Sequence, residues 1–492
     1  MFALAGSLLA IGNTQAQQTQ SQRDSLLSLQ RNAISMITPG EGKAAGQSGF
    51  WGYAFGDYAY MAKGDSAGRG TKQQYKGLGA GPAVNGAQNL NPNAFEIRRA
   101  YLGYDYMINK HFSAYALLAY EGDQDVSDNR TVYMKYMYVK WKNIFKGSDL
   151  KIGQQATNSF ASAYNTEPLL GYRAVEKTIM DMHGVDGSSD MGLTLEGRIW
   201  TSHAMDTTQV PLFIGYSAMI GDNSGNNPVA GFTGNATSLS GATITSTSTS
   251  TTTSSVVGTY TTVTTTKTSA VLNPFNETTD NAKKIRFNAY VNCLNTALTV
   301  GIYGDYINYG NSYYGTATGY QHAVMTQKVY AAYNQKWFGI GVEWFAQTMT
   351  NGEVEATYNN TTGKVTNDTT TAEQTGMSIF AHGTIIPSTL NIFARYDMYT
   401  ADNKFSYTYD AASTLANHAS EAFSEGFSNT SGVTPYKETF INAGLDWTPT
   451  KDKKVHIMPN VWYYGIKNAY GSDNLANANY MLYRVTFLFA FN

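Results

Sequence analysis

Residues 480–492 read YMLYRVTFLFAFN, and their apolarity alternates from one position to the next. A mixed set containing Arg484 and Thr486 alternates with a set that is entirely apolar or aromatic. A period of two places the two sets on opposite faces of a β-strand. The apolar set is Met481, Tyr483, Val485, Phe487, Phe489 and Phe491. Such a strand, about ten residues long with one apolar face, is typical of a wall between lipid and water.

The same alternation recurs in fifteen earlier stretches, which are also rich in aromatic side chains. We predict sixteen strands, at 49–63, 94–107, 110–122, 130–143, 148–156, 189–199, 208–221, 282–293, 296–309, 322–334, 336–349, 376–386, 389–400, 436–448, 453–465 and 478–491. An even number of antiparallel strands returns both ends of a barrel to the same side of the membrane.

The connections between these stretches alternate between short and long. Short ones fall at 108–109, 294–295, 335 and 386–388, and long ones at 64–93, 157–188, 222–281, 350–375 and 401–435. Short periplasmic turns on one rim and long extracellular loops on the other are characteristic of outer-membrane barrels. The sequence therefore predicts an all-β protein, a sixteen-stranded transmembrane antiparallel β-barrel.

Composition excludes several other classes of protein. Only 14% of the 492 residues are charged, compared with about 25% in soluble domains, and 36 Tyr, 22 Phe and 7 Trp are present. Cys293 is the single cysteine, so neither an intramolecular disulfide nor a cysteine zinc cluster can form. A net charge of -2 does not favour binding to nucleic acid, which requires a basic surface. After the first dozen residues, no stretch reaches the ~20 apolar residues of a spanning helix.

The chain begins with an apolar run from Phe2 to Ile11, followed by Thr14-Gln15-Ala16. This small-x-small pattern predicts a signal peptide at residues 1–16; the alternative is a short buried helix. Residues 17–48 then form a short periplasmic segment, and residues 49–492 form the barrel. We expect localisation in the outer membrane, in contact with lipid and lipopolysaccharide.

Several motifs resemble the phosphate-selective porin O/P superfamily of Gram-negative bacteria. They are FEIRRAYLGYDY at 95–106, YMYVKWK at 136–142, LKIGQQ at 150–155 and SSDMG at 188–192, in the order that the family shows. The resemblance is best over residues 94–200. Beyond them, the chain shares with the family only the alternating pattern that barrel strands have in general. It implies a sixteen-stranded passive channel that assembles as a homotrimer, but it does not carry phosphate selectivity with it.

If the more apolar face of each strand contacts lipid, the opposite face lines the lumen. A lipid-facing Lys or Arg costs about 2–4 kcal/mol at the midplane, which favours the inward placement of charges. The predicted pore-lining residues are Arg99, Asp105, Lys140, Lys151, Glu196, Arg198, Lys284, Arg286, Lys328, Glu343, Arg395, Asp397 and Arg484, together with Asp305 and Asp446. They form either solvated cross-strand pairs or opposed basic and acidic walls that set up a transverse field.

The connection at 157–188 differs from the other long ones because it is not of low complexity. Val175, Ile179 and Met182 suggest the apolar face of a short helix. By position, this loop resembles the one that folds into general porins and narrows them. The predicted constriction residues are Glu167, Arg173, Glu176, Lys177 and Asp181. Alternatively, the loop packs on top of the barrel or against a neighbouring subunit.

Residues 237–269 are nearly all Ser and Thr and cannot form a core. We expect a surface loop; the alternative is that its flanks extend the barrel as a hairpin above the membrane.

Together these features predict an outer-membrane porin that passes ions and small hydrophilic solutes, leaning toward anions. The alternative is a plugged or closed barrel that acts as a surface receptor, adhesin or scaffold. We expect no enzymatic activity, cofactor or metal site, because the chain contains no nucleophile elbow, phosphate-binding loop or His-Glu-x-x-His pattern.

Overall fold

The computed structural model describes residues 45–63, 93–122, 131–161, 174, 177–201, 212–222, 247–255, 258–266, 283–293, 297–314, 317–335, 337–359, 364–401, 403, 436–468 and 478–491. The predicted signal peptide and all of the predicted periplasmic segment up to residue 44 lie outside them. The predictions for residues 1–16 and 17–48 therefore stay predictions.

Sixteen antiparallel strands close into one barrel, and every predicted strand is confirmed. They are β1 (Ser48–Lys63), β2 (Asn93–Met107), β3 (Phe112–Glu121), β4 (Tyr133–Phe145), β5 (Ser148–Ala156), β6 (Ser189–Thr201), β7 (Phe213–Gly221), β10 (Lys284–Cys293), β11 (Leu298–Tyr314), β12 (Ala317–Asn334), β13 (Phe338–Asn359), β14 (Lys364–Ile386), β15 (Leu390–Thr400), β16 (Tyr436–Trp447), β17 (Val455–Asn468) and β18 (Ala478–Phe491). Two short helices, α1 (Asn158–Ala161) and α2 (Ile179–Met182), lie between β5 and β6.

Two further strands, β8 (Thr247–Ser255) and β9 (Gly258–Thr266), pair with each other in a separate sheet. They come from the Ser/Thr-rich segment, which therefore forms a hairpin, although this hairpin does not extend the barrel sheet.

The barrel closes where β1 pairs with β18 along one edge and with β2 along the other. The register places Asp57 opposite Thr486 and Ala59 opposite Arg484. Because every barrel strand has two neighbours, no open sheet edge remains in the barrel. In hydrocarbon, unpaired backbone groups each cost several kcal/mol, so this closure is required for a β-sheet that crosses a membrane.

Side-chain exposure alternates along each strand as the sequence predicts. On β18, Tyr483 and Phe489 are 48% and 49% exposed, whereas Arg484 and Thr486 are 2% and 0% exposed. The same outward apolar belt continues around the other barrel strands, and Cys293 lies half-buried at its lower edge on β10. A closed sheet with an apolar exterior is the β-structure that spans membranes, and this chain is an outer-membrane barrel. None of the helices in the described residues has the length and apolarity needed to cross a membrane.

One predicted loop is wrong. Residues 350–375 do not form a long connection, because β13 continues to Asn359 and β14 begins at Lys364. These strands stay paired with each other from Glu353 opposite Thr370 to Asn359 opposite Lys364. Thr, Val and Tyr in this stretch favour strand, so a long hairpin replaces the loop.

The glycines at the seam permit close strand approach. A Cβ at Gly56 would overlap the Glu96 carbonyl oxygen and lie 2.8 Å from Phe487 Cζ. We expect Gly56→Ala to lower the free energy of unfolding by about 1–3 kcal/mol, because the backbone carbonyl cannot move aside. Urea unfolding of the purified barrel in detergent measures this.

Gly383→Ala is the matched control, because its Cβ would meet nothing closer than Ile392 Cγ2 at 3.6 Å. Equal stability of the two variants would show that the seam tolerates a methyl group and that this account of Gly56 is wrong.

Candidate pore constriction

The predicted inward charges lie on the inner face of the barrel wall. Eleven of the thirteen predicted pore-lining residues are buried: Arg99, Asp105, Lys140, Lys151, Lys284, Arg286, Lys328, Glu343, Arg395, Asp397 and Arg484. Asp305 and Asp446 are buried on the same face. The Glu196 side chain is 26% exposed, and Arg198 is exposed at the end of β6, where its guanidinium lies 4.2 Å from the centre of the Phe213 ring.

Most of these charges occur as ion pairs along the wall. Lys140 Nζ lies 2.8 Å from Asp149 and 3.3 Å from Glu196, and Lys151 Nζ lies 2.7 Å from Glu196. Elsewhere on the wall, Lys328 pairs with Glu343 at 2.5 Å and Arg395 with Asp397 at 2.5 Å. Opposite charges therefore lie beside each other, across strands for the lysine pairs and along β15 for Arg395 and Asp397, and most of these charges are buried rather than solvated.

One wall cluster contains charged residues that are not among the predicted pore-lining residues. Glu121 on β3 accepts hydrogen bonds from Arg99 at 3.1 Å and Tyr133 at 2.8 Å, and it also pairs with Lys135. Lys135 and Tyr136 are both buried because the register shifts where β4 pairs with β3. This irregularity breaks the period of two, so alternation alone could not assign Lys135 to the inner face.

Residues 157–188, here called the lumen loop, are fixed to the wall at their base. The Thr157 hydroxyl donates to the Gly187 carbonyl at 2.7 Å, and Tyr136 donates to the Ser188 carbonyl at 3.2 Å. Ser159 in α1 donates to the Asp186 carboxylate. These bonds hold the two ends of the loop together beside β4.

Asp186 anchors the loop to β10 and β11. Its carboxylate lies 3.0 Å from Arg286 and 3.1 Å from Lys284, and Tyr303 donates to it at 3.2 Å. Arg286 also pairs with Asp190 at 2.6 Å. Burial would raise the pKa of Asp186, but the charges of Arg286 and Lys284 outweigh it and hold that pKa below its ordinary value. Asp186 is therefore ionised at neutral pH.

Further along, backbone carbonyls of the loop accept hydrogen bonds from the opposite wall. Both Arg484 on β18 and Trp462 on β17 donate to the Ala174 carbonyl at 2.9 Å. Arg395 donates to the Lys177 carbonyl, and Gln347 donates to the Val185 carbonyl at 3.1 Å. Since these partners come from β13, β15, β17 and β18 while Asp186 is held by β10 and β11, the loop lies inside the lumen.

Apolar packing supports the same position. Ile179, Met180 and Val185 are 0–2% exposed and belong to one cluster with inward side chains of the wall. Those wall residues are Ala59, Tyr303, Phe345, Tyr399, Ala401, Phe440, Trp462, Tyr464, Ile466, Tyr480 and Leu482. Full burial of a side chain such as Ile or Met contributes about 1.5–3 kcal/mol. The lumen thus contains an apolar core around α2.

His183 follows α2 and packs against two wall strands. Its ring stacks on Tyr399 with 3.4 Å between ring centres, and its Nε2 lies 3.7 Å from Glu438 Oε1. Burial, and then the charge of Arg395, hold the pKa of His183 well below its ordinary value. The imidazole is therefore neutral at pH 7.

The predicted constriction residues are only partly described. Glu167, Arg173 and Glu176 lie outside the described residues. Lys177 and Asp181 are half-buried in the loop, and the Asp181 amide donates to Thr178 Oγ1 at 3.2 Å to begin α2. Burial raises the pKa of Asp181, and the charges of Lys177, Arg99 and Lys135 act against this rise.

The described part of the chain also lacks the arrangement that a metal site requires. No three or more His, Cys, Asp or Glu side chains there are arranged to hold a metal ion. His382 is half-buried on β14 with its Nε2 3.4 Å from Asn334 Oδ1.

No protein-family model matches the chain, and no curated protein matches it. The resemblance to the phosphate-selective porin O/P superfamily is therefore not confirmed.

Among solved structures, the chain is similar to the outer membrane channel DcaP of Acinetobacter baumannii, with 11% identity, 92% of this chain and 99% of that chain covered, and a TM-score of 0.48. It is similar to an anion-selective porin from Comamonas acidovorans, with 9% identity, 90% and 99% coverage and a TM-score of 0.47. It is also similar to the trimer form of OmpT from Vibrio cholerae, with 10% identity, 91% and 100% coverage and a TM-score of 0.44. At such identities and TM-scores, the likeness says nothing about what this chain transports or binds.

Loss of the Asp186 charge should release the lumen loop. Asp186→Asn leaves Lys284 and Arg286 buried without their main partner, which costs about 3 kcal/mol. Tryptic cleavage after Lys177 should then accelerate about a hundredfold, because cleavage follows the population of the open loop. Mass spectrometry of the digest measures the rate.

Asp222→Asn is the matched control, because its pair with Lys283 at 2.8 Å is 40–45% exposed. Exposed pairs contribute about 0–1 kcal/mol, so its cleavage should stay near the wild-type rate. Wild-type cleavage in Asp186→Asn would contradict the anchoring role.

The depressed pKa of His183 has a pH consequence. The pKa of His183 in the folded protein is below its unfolded value of about 6.5. Its contribution to the stability of the docked lumen loop is therefore fully present above pH 6.5 and is lost as the pH drops toward the folded pKa. Histidine NMR should therefore show a neutral His183 at pH 5.5, with the signal assigned through its loss in His183→Gln. A His183 signal that titrates near pH 6.5 would contradict burial of the ring.

Proposed function

We propose that this outer-membrane barrel is a passive channel for ions and small hydrophilic solutes, narrowed by the lumen loop. The observation that carries the proposal is the position of this loop, which contacts β10 and β11 through Asp186 and the opposite wall through Ala174. Sixteen strands enclose a lumen wide enough for an aqueous channel, so an inward element is needed to set a size limit.

The charged side chains of the inner wall support the channel proposal, because such side chains are more stable in a water-filled interior than in a dry core. The predicted pore-lining residues remain our candidates for this path. Glu196, at 26% exposure, and Arg198 are the most accessible of them. Lys140 and Lys151 are each paired with Glu196, so we propose weak ion preference rather than the anion preference expected from the sequence.

A second candidate is a closed barrel that serves as a surface receptor, adhesin or scaffold. It is favoured by the burial of inward side chains such as Phe55, Lys284, Phe380 and Tyr464, none of which exceeds 6% exposure. In a wide open channel, water would reach these side chains. The two candidates differ in whether the loop narrows the lumen or seals it.

We further propose that the barrel is not an enzyme, needs no cofactor, and works as a homotrimer among outer-membrane lipid and lipopolysaccharide, as the family resemblance implies.

Planar-bilayer conductance separates the two candidates. We expect wild-type protein to give discrete open steps, and deletion of residues 165–183 to give larger steps because it removes the cross-lumen contacts of Ala174 and Lys177. A salt gradient across the bilayer should give a reversal potential near zero. Addition of phosphate should leave the steps open, and block by phosphate but not chloride would instead show phosphate selectivity.

Silent wild-type protein combined with a conducting deletion variant would establish the closed barrel. Silence of both proteins, after correct folding is shown by heat-modifiable migration, would overturn the channel proposal and the role of the loop.

A further inference from the structure

Two lysines stand on the outward face of the barrel at its extracellular rim. Lys437 on β16 and Lys467 on β17 are both exposed, and the register places them directly opposite each other. Their outward orientation follows from alternation, because Ile441 and Tyr463 lie on the same faces of the two strands, and Ile441 is exposed in the apolar belt. Like charges directly opposite each other destabilise a sheet. A ligand of opposite charge would remove that cost.

The lysines lie where the apolar belt ends. Lys437 is ten residues from Trp447, which is exposed at the periplasmic end of β16. Ten residues of a strand tilted by about 40° rise roughly 25 Å, and the apolar band of such barrels is roughly 25 Å tall. The two ammonium groups are therefore level with the headgroups of the extracellular leaflet and lie above its acyl chains.

The charge of the two lysines is not balanced by the described part of the chain. There, neither Lys437 nor Lys467 has a carboxylate within ion-pair distance. Lys283 at the same rim differs, because it pairs with Asp222 at 2.8 Å. The outward Glu373 lies on β14, two strands away from β16. The positive charge at Lys437 and Lys467 is thus available to an anionic group from outside the chain.

The outward surface directly below the lysines is low and polar. Thr439 and Gly465 are paired there, so one strand carries a short side chain and the other none. Tyr463 extends up to this level, since its Oη lies 3.2 Å from the point that a Cβ on Gly465 would occupy. Asn479 on β18 pairs with Gly465 on its other side and is half-buried. Hydroxyl and amide donors therefore lie between the lysines above and the apolar belt at Ile441 below.

We propose that Lys437, Lys467 and Tyr463 bind a phosphate group of lipopolysaccharide, whose acyl chains lie on the apolar belt below. Lipopolysaccharide forms the extracellular leaflet of outer membranes, and its lipid part carries phosphates above several acyl chains. Ammonium and hydroxyl donors bind phosphate oxygens through charge-assisted hydrogen bonds. This site is more specific than the lipid environment proposed above; it rests on the outer-membrane location and does not depend on whether the lumen conducts.

Charge-removing variants test the site in detergent-purified protein. Lys437→Gln/Lys467→Gln should raise the dissociation constant for purified lipopolysaccharide about 25-fold, because each lysine near an anionic lipid surface strengthens binding about fivefold. Lys437→Arg/Lys467→Arg should bind as the wild type does. Lys283→Gln is the matched control, because that lysine is already paired with Asp222. Titration of the fluorescently labelled proteins with lipopolysaccharide measures all four, and heat-modifiable migration confirms that each barrel is folded.

Two further ligands identify the group that is bound. Lipopolysaccharide stripped of its phosphates should bind the wild type as weakly as the intact form binds Lys437→Gln/Lys467→Gln. Phosphatidylglycerol should bind about fivefold more weakly than lipopolysaccharide, because its phosphodiester carries a single negative charge whereas a phosphate monoester carries up to two.

Unchanged binding by Lys437→Gln/Lys467→Gln would overturn the proposal. So would equal binding of the dephosphorylated form, equal affinity for phosphatidylglycerol, or a loss in Lys283→Gln as large as in the double variant. Binding is measured without a bilayer, so silent bilayers would count against the channel and not against this site.

Discussion

Hydrocarbon offers no hydrogen-bond partner to a backbone amide, and the remaining features of this barrel follow from that constraint. Sixteen strands satisfy their backbone groups by closing β1 onto β18. Closure then divides every strand into a lipid face and a lumen face. The apolar belt and the buried inner charges are the two consequences of this division. The seam depends on close approach at Gly56, where a side chain would meet the neighbouring backbone.

Closure also creates an interior that side chains from the wall alone do not fill. The lumen loop occupies part of it, and the wall arginines take a role different from the one expected. Arg395 and Arg484 donate to loop carbonyls, while Arg286 binds the Asp186 carboxylate. These cations therefore hold the loop in place in addition to facing the lumen. Each is also paired with an acidic residue, which leaves little unbalanced charge to select ions.

The strands and their number could be predicted from sequence, because lipid on one side and water on the other impose a period of two. The period failed where the structure departs from regular pairing, as at Lys135. The period of two also failed on β1, because the inner face of that strand carries the aromatic residues Trp51, Tyr53 and Phe55. The inward Asp57, which lies on the same face, was therefore missed. The loop at 350–375 was mistaken because Val365 is the one apolar side chain in residues 364–371, so no apolar face marks the start of β14.

The position of the lumen loop was predicted by analogy, but its anchors could not be. Ala174, Lys177 and Val185 bind the wall through backbone carbonyls, which every residue possesses and no sequence pattern reveals. Asp186 and His183 lie at the end of the predicted loop but were not among the five predicted constriction residues. Their roles depend on wall residues about a hundred to more than two hundred positions away, brought close only by closure.

The central claim is that the lumen loop lies across the interior of the closed barrel. Site-specific photo-cross-linking tests it most directly, with Tyr399 replaced by p-benzoyl-phenylalanine at the point where it stacks on His183. Irradiation of the folded protein in membranes should link position 399 to a peptide from residues 177–188. Links only to neighbouring strands or to other loops would place the lumen loop elsewhere and contradict this account.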